Sequence, residues 1–328
     1  MRKSRLPLLA AGVVALVFAA SALGSPAKPQ LKVALVAPSA HNDLAFTQSM
    51  YAALQTLKAS YNLKISVSEN QFVVANAANI IRQYAQQGYG LVIAHGSQYG
   101  GTIEQLAPLF PKTSFAWGTA GSTFGQPNVY AYQAASQQGG YVQGYVAALL
   151  SKTKTLGVIG PIAVGDAKLY VDGFVAGAKA AVPTAKVPVS YTGSFSDTSL
   201  MSKQATQFLA QKADVLTGSS QSVVGAITVA KANGVAWFGT QWKQTSLAPK
   251  QVVASQVYDW TGILKTMLNR IDRGKLGGQS YTINLRNGGE KIQFNPAYKL
   301  PASIKSAAQK QITGIANGSI VVRMGGGK

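Results

Sequence analysis

Two stretches of this chain put a carboxylate and an aromatic ring within one turn of each other. One is Asp43-Leu-Ala-Phe46-Thr47-Gln48, the other Phe195-Ser-Asp197. A carboxylate accepts hydrogen bonds from N–H or O–H groups, an amide donates and accepts, and an aromatic face stacks on a flat ring for about 1–3 kcal/mol. These residue types suit non-covalent capture of a small polar ring. Each also has a plain structural reading, with Phe46 and Phe195 as core anchors and Asp43 and Asp197 as helix N-caps. Their occurrence at matching positions in two halves of the chain favours a binding site.

Residues for covalent or acid–base chemistry are scarce. The chain has two histidines, ten carboxylates and no cysteine. His41 and His95 are far apart in sequence and have no partners at metal-ligand spacing, so no metal site is expected. His95, at the end of an apolar run, reads as a cleft hydrogen-bonder. No Gly-x-Ser-x-Gly elbow is present. Gly139-Gly140-Tyr-Val-Gln-Gly144 lacks the Lys-Ser/Thr of a phosphate loop, and its glycines read as a helix start that allows close packing. No catalytic residue and no cofactor is expected. An exported hydrolase is the enzymatic alternative, and the missing acid cluster weakens it.

The elements that must position these residues alternate regularly. Leu31–Ala37, Lys64–Glu69, Gly90–His95, Ser114–Trp117 and Val129–Tyr132 read as strands, with helical spacing between the first four. The alternation resumes with a helix over Gly139–Lys152 and strands at Thr155–Gly160, Lys186–Thr192, Asp214–Thr217 and Val235–Phe238. Strands separated by helices of this length make βαβ units and parallel sheets. The fold class is therefore α/β, two doubly wound lobes with a hinge. Residues 31–133 plus 254–278 are expected to form lobe 1, and 134–253 plus 279–328 lobe 2. Asn287-Gly288 predicts a hairpin between two short strands in Tyr281–Phe294. Ligands bind outside the carboxyl ends of parallel strands, where both carboxylate–aromatic loops fall.

The N-terminus bounds location. Met1-Arg-Lys-Ser-Arg5, an apolar run from Leu6 to Ala20, and small residues to Ser25 form a secretory signal over residues 1–24, with an uncleaved anchor as the alternative. A periplasmic or extracellular protein is expected. Without cysteine it can carry no lipidated cysteine at the cleavage site. Net charge is +20, and loss of Arg2, Lys3 and Arg5 leaves +17. The basic residues are scattered rather than clustered, so the charge suits an acidic envelope or an anionic partner in preference to nucleic acid.

The chain resembles the basic membrane protein family of ABC-transporter substrate-binding proteins, whose members include purine nucleoside binders. The resemblance runs from about Leu31 to Leu276. It is carried by Asp43-x-x-Phe46-x-Gln48, Gly140-x-x-x-Gly144 with Ser151-Lys-Thr153, Leu156-Gly-Val-Ile-Gly160, Gly173-Phe174-x-x-Gly177, Gly193-Ser-Phe-Ser-Asp197 and Ala213-Asp-Val215. It implies a type I periplasmic binding fold, a purine between Phe46 and Phe195 with Asp43 on the base edge, and delivery to a membrane permease. Where nucleoside-binding members carry an Asp that grips ribose, this chain has Gln241, in Phe238-Gly-Thr-Gln241-Trp242-Lys-Gln244. A neutral amide loses the charge-assisted bonds to a diol. The segment, with Tyr258-Asp259-Trp260, is more similar to a branch suited to free bases such as adenine. Trp242 either closes over the space ribose would fill or packs at a lobe crossing. Gln138 stands where the family often has Glu. The candidate ligand set is Asp43, Phe46, Thr47, Gln48, His95, Trp117, Phe195, Asp197, Gln241, Trp242 and Asp259. The expected protein is a monomer serving an ABC permease. The alternatives are a ligand sensor for a receptor kinase and a binder of another small polar ring.

Overall fold

The computed structural model describes residues 29–323, so the signal over 1–24 and the Gly325–Gly327 end lie outside the described residues. The first series is β1 (Leu31–Val36), α1 (Phe46–Lys58), β2 (Leu63–Ser68), α2 (Val74–Gln86), β3 (Leu91–His95), α3 (Gly100–Leu106), β4 (Ser114–Gly118) and β5 (Val129–Ala134). The second is α4 (Gln137–Leu150), β6 (Leu156–Gly160), α5 (Gly165–Ala181), β7 (Val189–Tyr191), α6 (Thr198–Ala210), β8 (Val215–Gly218), α7 (Val224–Ala232) and β9 (Ala236–Gly239). The chain closes with β10 (Val252–Tyr258), α8 (Thr261–Asp272), β11 (Gln279–Ile283), β12 (Glu290–Phe294) and α9 (Ala302–Asn317).

Two six-stranded sheets result, in the orders β11-β5-β4-β3-β1-β2 and β12-β10-β9-β8-β6-β7. Among the described residues only the β10–β12 pair is antiparallel. Strands buried on both faces, such as Leu91–His95 and Leu156–Gly160, need helices on both sides. In the first lobe α1 and α8 supply one layer, around Met50, Leu54 and Leu264, and α2 and α3 the other, around Ile81 and Ile103. In the second, α4, α5 and α9 cover one face and α6 and α7 the other.

The tail corrects two expectations. β10 lies in the second sheet, paired with β9 and β12, so residues 254–258 do not belong with the first lobe. β11 lies in the first sheet, with Gln279 opposite Tyr130. β10 is buried almost throughout and needs neighbours on both sides, and β9, just before it in sequence, offers an open edge. The Asn287-Gly288 step is consequently not a hairpin, because the strands flanking it belong to different sheets. Its turn is closed by side chains instead. Asn284 and Asn287 exchange reciprocal bonds between backbone N–H and Oδ1, at 3.0 and 2.9 Å.

The glycine pairs of α4 and α5 set the base of the second lobe. A Cβ on Gly144 would stand 1.9 Å from the Phe174 carbonyl oxygen, and one on Gly177 1.9 Å from that of Tyr141. Gly140 and Gly173 face Tyr170 and Gln137 carbonyls at 2.4 Å. Four small residues thus let two helix backbones touch. The Ser151-Lys-Thr153 and Asp214 motifs meet beside them. Asp214 accepts from Ser151 Oγ at 2.5 Å and from the Lys152 and Thr153 N–H groups at 2.7 and 3.1 Å.

Charge follows the same layout. Strand N-termini and helix C-termini share the far edge of each lobe, where the helix dipole favours cations. Lys152, Lys186, Lys212, Lys231 and Lys250 are exposed along that edge of the second lobe. Asp43, Glu69, Asp166, Asp197, Asp259 and Glu290 fall at the opposite edge, where the strands end.

Helix propensity alone makes Gly144→Ala stabilising by up to about 1 kcal/mol. The backbone contact reverses that sign. Overpacking of this kind costs about 1–3 kcal/mol, and Gly144→Ala is expected to lower the melting temperature by several degrees. Calorimetry of the variant checks it, and an unchanged or raised melting temperature would contradict the close crossing.

Candidate functional site

Parallel pairing brings the strand ends of both sheets to one interface, and a slot lies there. Pro38, Phe46, Phe72, Gln98 and Thr119 line it from the first lobe, and Asp166, Phe195, Gln221 and Gln241 from the second. It holds about 400 Å³ of empty space, its mouth included. Bonds already cross between the lobes at its border. Thr119 Oγ1 donates to Asp166 Oδ1 at 3.2 Å, and Gln244 Nε2 donates to the Leu44 carbonyl at 3.3 Å. The rings of Phe72 and Phe195 meet across the gap at 6.1 Å between centroids.

Phe46 opens α1 and is 5% exposed. Its ring lies parallel on the His95 imidazole, 3.7 Å between centroids and 7° between planes. His95 is fully buried, and burial pulls its pKa down to about 3. It is neutral, with a tautomer fixed by its neighbours. Nε2–H donates to the Phe46 carbonyl at 3.1 Å, so Nδ1 accepts from the Tyr132 hydroxyl at 2.7 Å. His95 therefore supports Phe46 from behind and does not line the slot. Gln241 follows β9 with φ +66°, a left-handed conformation that is costly for a side-chain-bearing residue. Its carbonyl accepts the Tyr258 N–H at 3.1 Å, which fixes the turn, while its side-chain Oε1 is buried without a partner.

The other candidates go elsewhere. Asp43 accepts from Ser39 Oγ and from the N–H groups of Ala45, Thr47 and Gln48, at 2.6–3.1 Å. Burial pushes its carboxyl upward, and those four bonds offset this only in part. Thr47 Oγ1 bonds Ser39 at 2.7 Å, and Gln48 Oε1 accepts the Leu44 N–H at 2.9 Å, so the whole loop is tied to itself. Asp197 caps α6 through the Ser199 and Leu200 N–H groups. Trp117 stacks on Phe124 at 4.8 Å, away from the slot. Trp242 does not close over the slot. It borders a separate cavity with Ala52, Ala53 and Thr56 of α1, which Asp259 also lines, held at 2.9 Å by Lys291. Gln138 Oε1 accepts the Leu285 N–H at 3.1 Å, a structural bond. Phe72, Thr119, Asp166 and Gln221 are absent from the sequence-based set. Asp166 had a legible signal, since it follows the strand end at Gly160 as Asp43 follows Val36.

A family model described as "ABC transporter substrate-binding protein PnrA-like" matches residues 30–323. The chain belongs to this family, Bmp. An ABC transporter nucleoside-binding protein of Lactococcus lactis is 28% identical over 92% of each chain. A purine-binding protein of Brucella abortus is 25% identical, covering 90% of this chain and 83% of its own. Among solved structures, a solute-binding protein of an ABC transporter system from Conexibacter woesei superposes with a TM-score of 0.74 at 24% identity, over 90% of this chain and 99% of that one. The fold is that of the type I periplasmic binding proteins. Bmp substrate-binding proteins bind small molecules outside the cytoplasm and interact with a membrane permease. Among the described residues no helix is long and apolar enough to cross a membrane.

Behind the Bmp slot, at the crossing between lobes, sits a buried acid. Glu290 Oε1 accepts from the Gly139 N–H at 2.7 Å and from Gln256 Nε2, while Oε2 has no partner among the described residues. Burial raises its pKa from 4.5 to about 8, so it is protonated at neutral pH. The folded state thus holds this proton more tightly than the unfolded chain. The associated stability is present below about pH 4.5 and is lost as pH rises through about 8. Glu290→Gln keeps the accepting oxygen and removes the titration. Its melting temperature is expected to match the wild type near pH 5 and to exceed it by several degrees at pH 8.5. Parallel melts across that range check this, and curves that stay parallel would contradict a titrating Glu290.

Proposed function

We propose that this Bmp protein captures a purine-like ring in the slot between its lobes, a free nucleobase in preference to a nucleoside, and delivers it to an ABC permease. The observation that carries this reading is the aromatic pair. Phe46, backed by a neutral His95, and Phe195 come from opposite lobes and line one slot. A flat ring entering there meets aromatic carbon on both sides. The nucleoside-binding and purine-binding names of the two relatives support the ligand class. The preference for a base rests on Gln241. It lines the slot with a neutral amide at the place where the resemblance to nucleoside-binding members implies a carboxylate on ribose.

The test is calorimetric titration of the protein, stripped of bound ligand by unfolding and refolding, with adenine, guanine, hypoxanthine and adenosine. A base is expected to bind more tightly than adenosine. Loss of one stacking face costs about 1–3 kcal/mol, so Phe46→Ala is expected to weaken binding roughly 5- to 150-fold. No heat and no thermal shift with any of the four would overturn the reading.

A further inference from the structure

Three slot-lining side chains of the second lobe each hold a buried oxygen with no hydrogen-bond partner among the described residues: Asp166 Oδ2, Gln221 Oε1 and Gln241 Oε1. They follow β6, β8 and β9, which are adjacent in the sheet. The first lobe contributes Phe46 and Phe72 to the same slot. Aromatic faces thus come from both lobes, with Phe195 on the second, whereas the unpartnered slot oxygens come from the second lobe alone. A buried polar group left unsatisfied costs about 1–3 kcal/mol, and more when charged. The two glutamines can turn their amides to present either oxygen or nitrogen. An ionised Asp166 can only accept.

Asp166 also has a second engagement. It stands in the first turn of α5 and is 9% exposed. Its Oδ1 takes the Thr119 hydroxyl of the opposite lobe at 3.2 Å. Burial pushes its carboxyl upward from the ordinary value, and the nearby hydroxyls of Thr119 and of Tyr258, itself bonded to Ser136 at 2.7 Å, offset this only in part. Bringing the lobes together therefore buries a carboxylate with one oxygen satisfied and the other not.

We propose that Asp166 couples ligand recognition to lobe closure: Oδ1 latches the lobes through Thr119, and Oδ2 accepts an N–H from the ligand edge. The inference rests on the purine reading and deepens it. The ligand presents an exocyclic amino N–H toward the second lobe, as an aminopurine does and hypoxanthine does not. Without a donor, closure strands a desolvated carboxylate and the open form is favoured. With one, the same carboxylate becomes a charge-assisted acceptor and the closed form is favoured.

The experiment compares wild type, Asp166→Asn and Thr119→Val. Calorimetry gives affinities for adenine and hypoxanthine, and small-angle scattering gives the radius of gyration with and without ligand. Asp166→Asn keeps the shape but replaces one oxygen with a donor. It is expected to weaken adenine binding at least tenfold and to lower the adenine-to-hypoxanthine affinity ratio. Thr119→Val is expected to weaken both ligands with the ratio unchanged. The scattering arm needs no ligand. Removal of the buried charge is expected to make ligand-free Asp166→Asn more compact than ligand-free wild type. Wild-type affinities and ratio in Asp166→Asn would overturn the recognition half. An unchanged ligand-free radius would overturn the latch half. A wild type that binds neither base, together with a compact Asp166→Asn, would sink the purine reading and leave the latch standing.

Discussion

Parallel strand pairing is the constraint on which the rest of this molecule depends. Among the described residues, ten of the twelve strands pair only with parallel neighbours. Every crossover between parallel strands must then return over a face of the sheet, and all the described strands but β12 end at the same edge of their sheet. Two such edges face each other, so the loops after β1, β2, β4, β6, β7, β8 and β9 all reach one interface. Helix N-termini collect there as well. Their exposed N–H groups draw carboxylates, which is why most of the few acids sit near the slot while lysines collect at the far edges.

This layout makes some residues legible in sequence and hides others. Strand and helix alternation is written in apolar periodicity, and the order of elements follows from it. Phe46, Phe195 and Gln241 could be picked out because a carboxyl-end loop is a place where a ring or an amide has an expected use. The same rule points to Asp166, but an acid in the first turn of a helix has a sufficient local explanation as a partner of the dipole. Its bond to Thr119 joins residues 47 positions apart in different lobes, and no local pattern encodes that. Asp43 and Asp197 show the converse. Their spacing from Phe46 and Phe195 suggests ligand contact, yet both oxygens of Asp43 are taken within its own loop and Oδ1 of Asp197 caps the first turn of α6.

The tail departs from its local sequence pattern for a related reason. An Asn-Gly step between two short strands carries the local signature of a hairpin. Here the strands part company because each sheet offers β11 or β12 an open edge that outcompetes mutual pairing. Local turn chemistry fixed the turn, and long-range edge matching decided where the strands went.

The exchange of closing strands has a kinetic meaning. The outer strand of the first sheet is residues 279–283, set beside Tyr130 almost half the chain away. The outer strand of the second is residues 290–294. Neither sheet can be completed until nearly the whole polypeptide exists. Contacts of such long sequence separation carry a loop-closure cost and slow folding. The chain therefore reaches its final form late and as one interlocked unit, not as two beads that set in turn while they are being made.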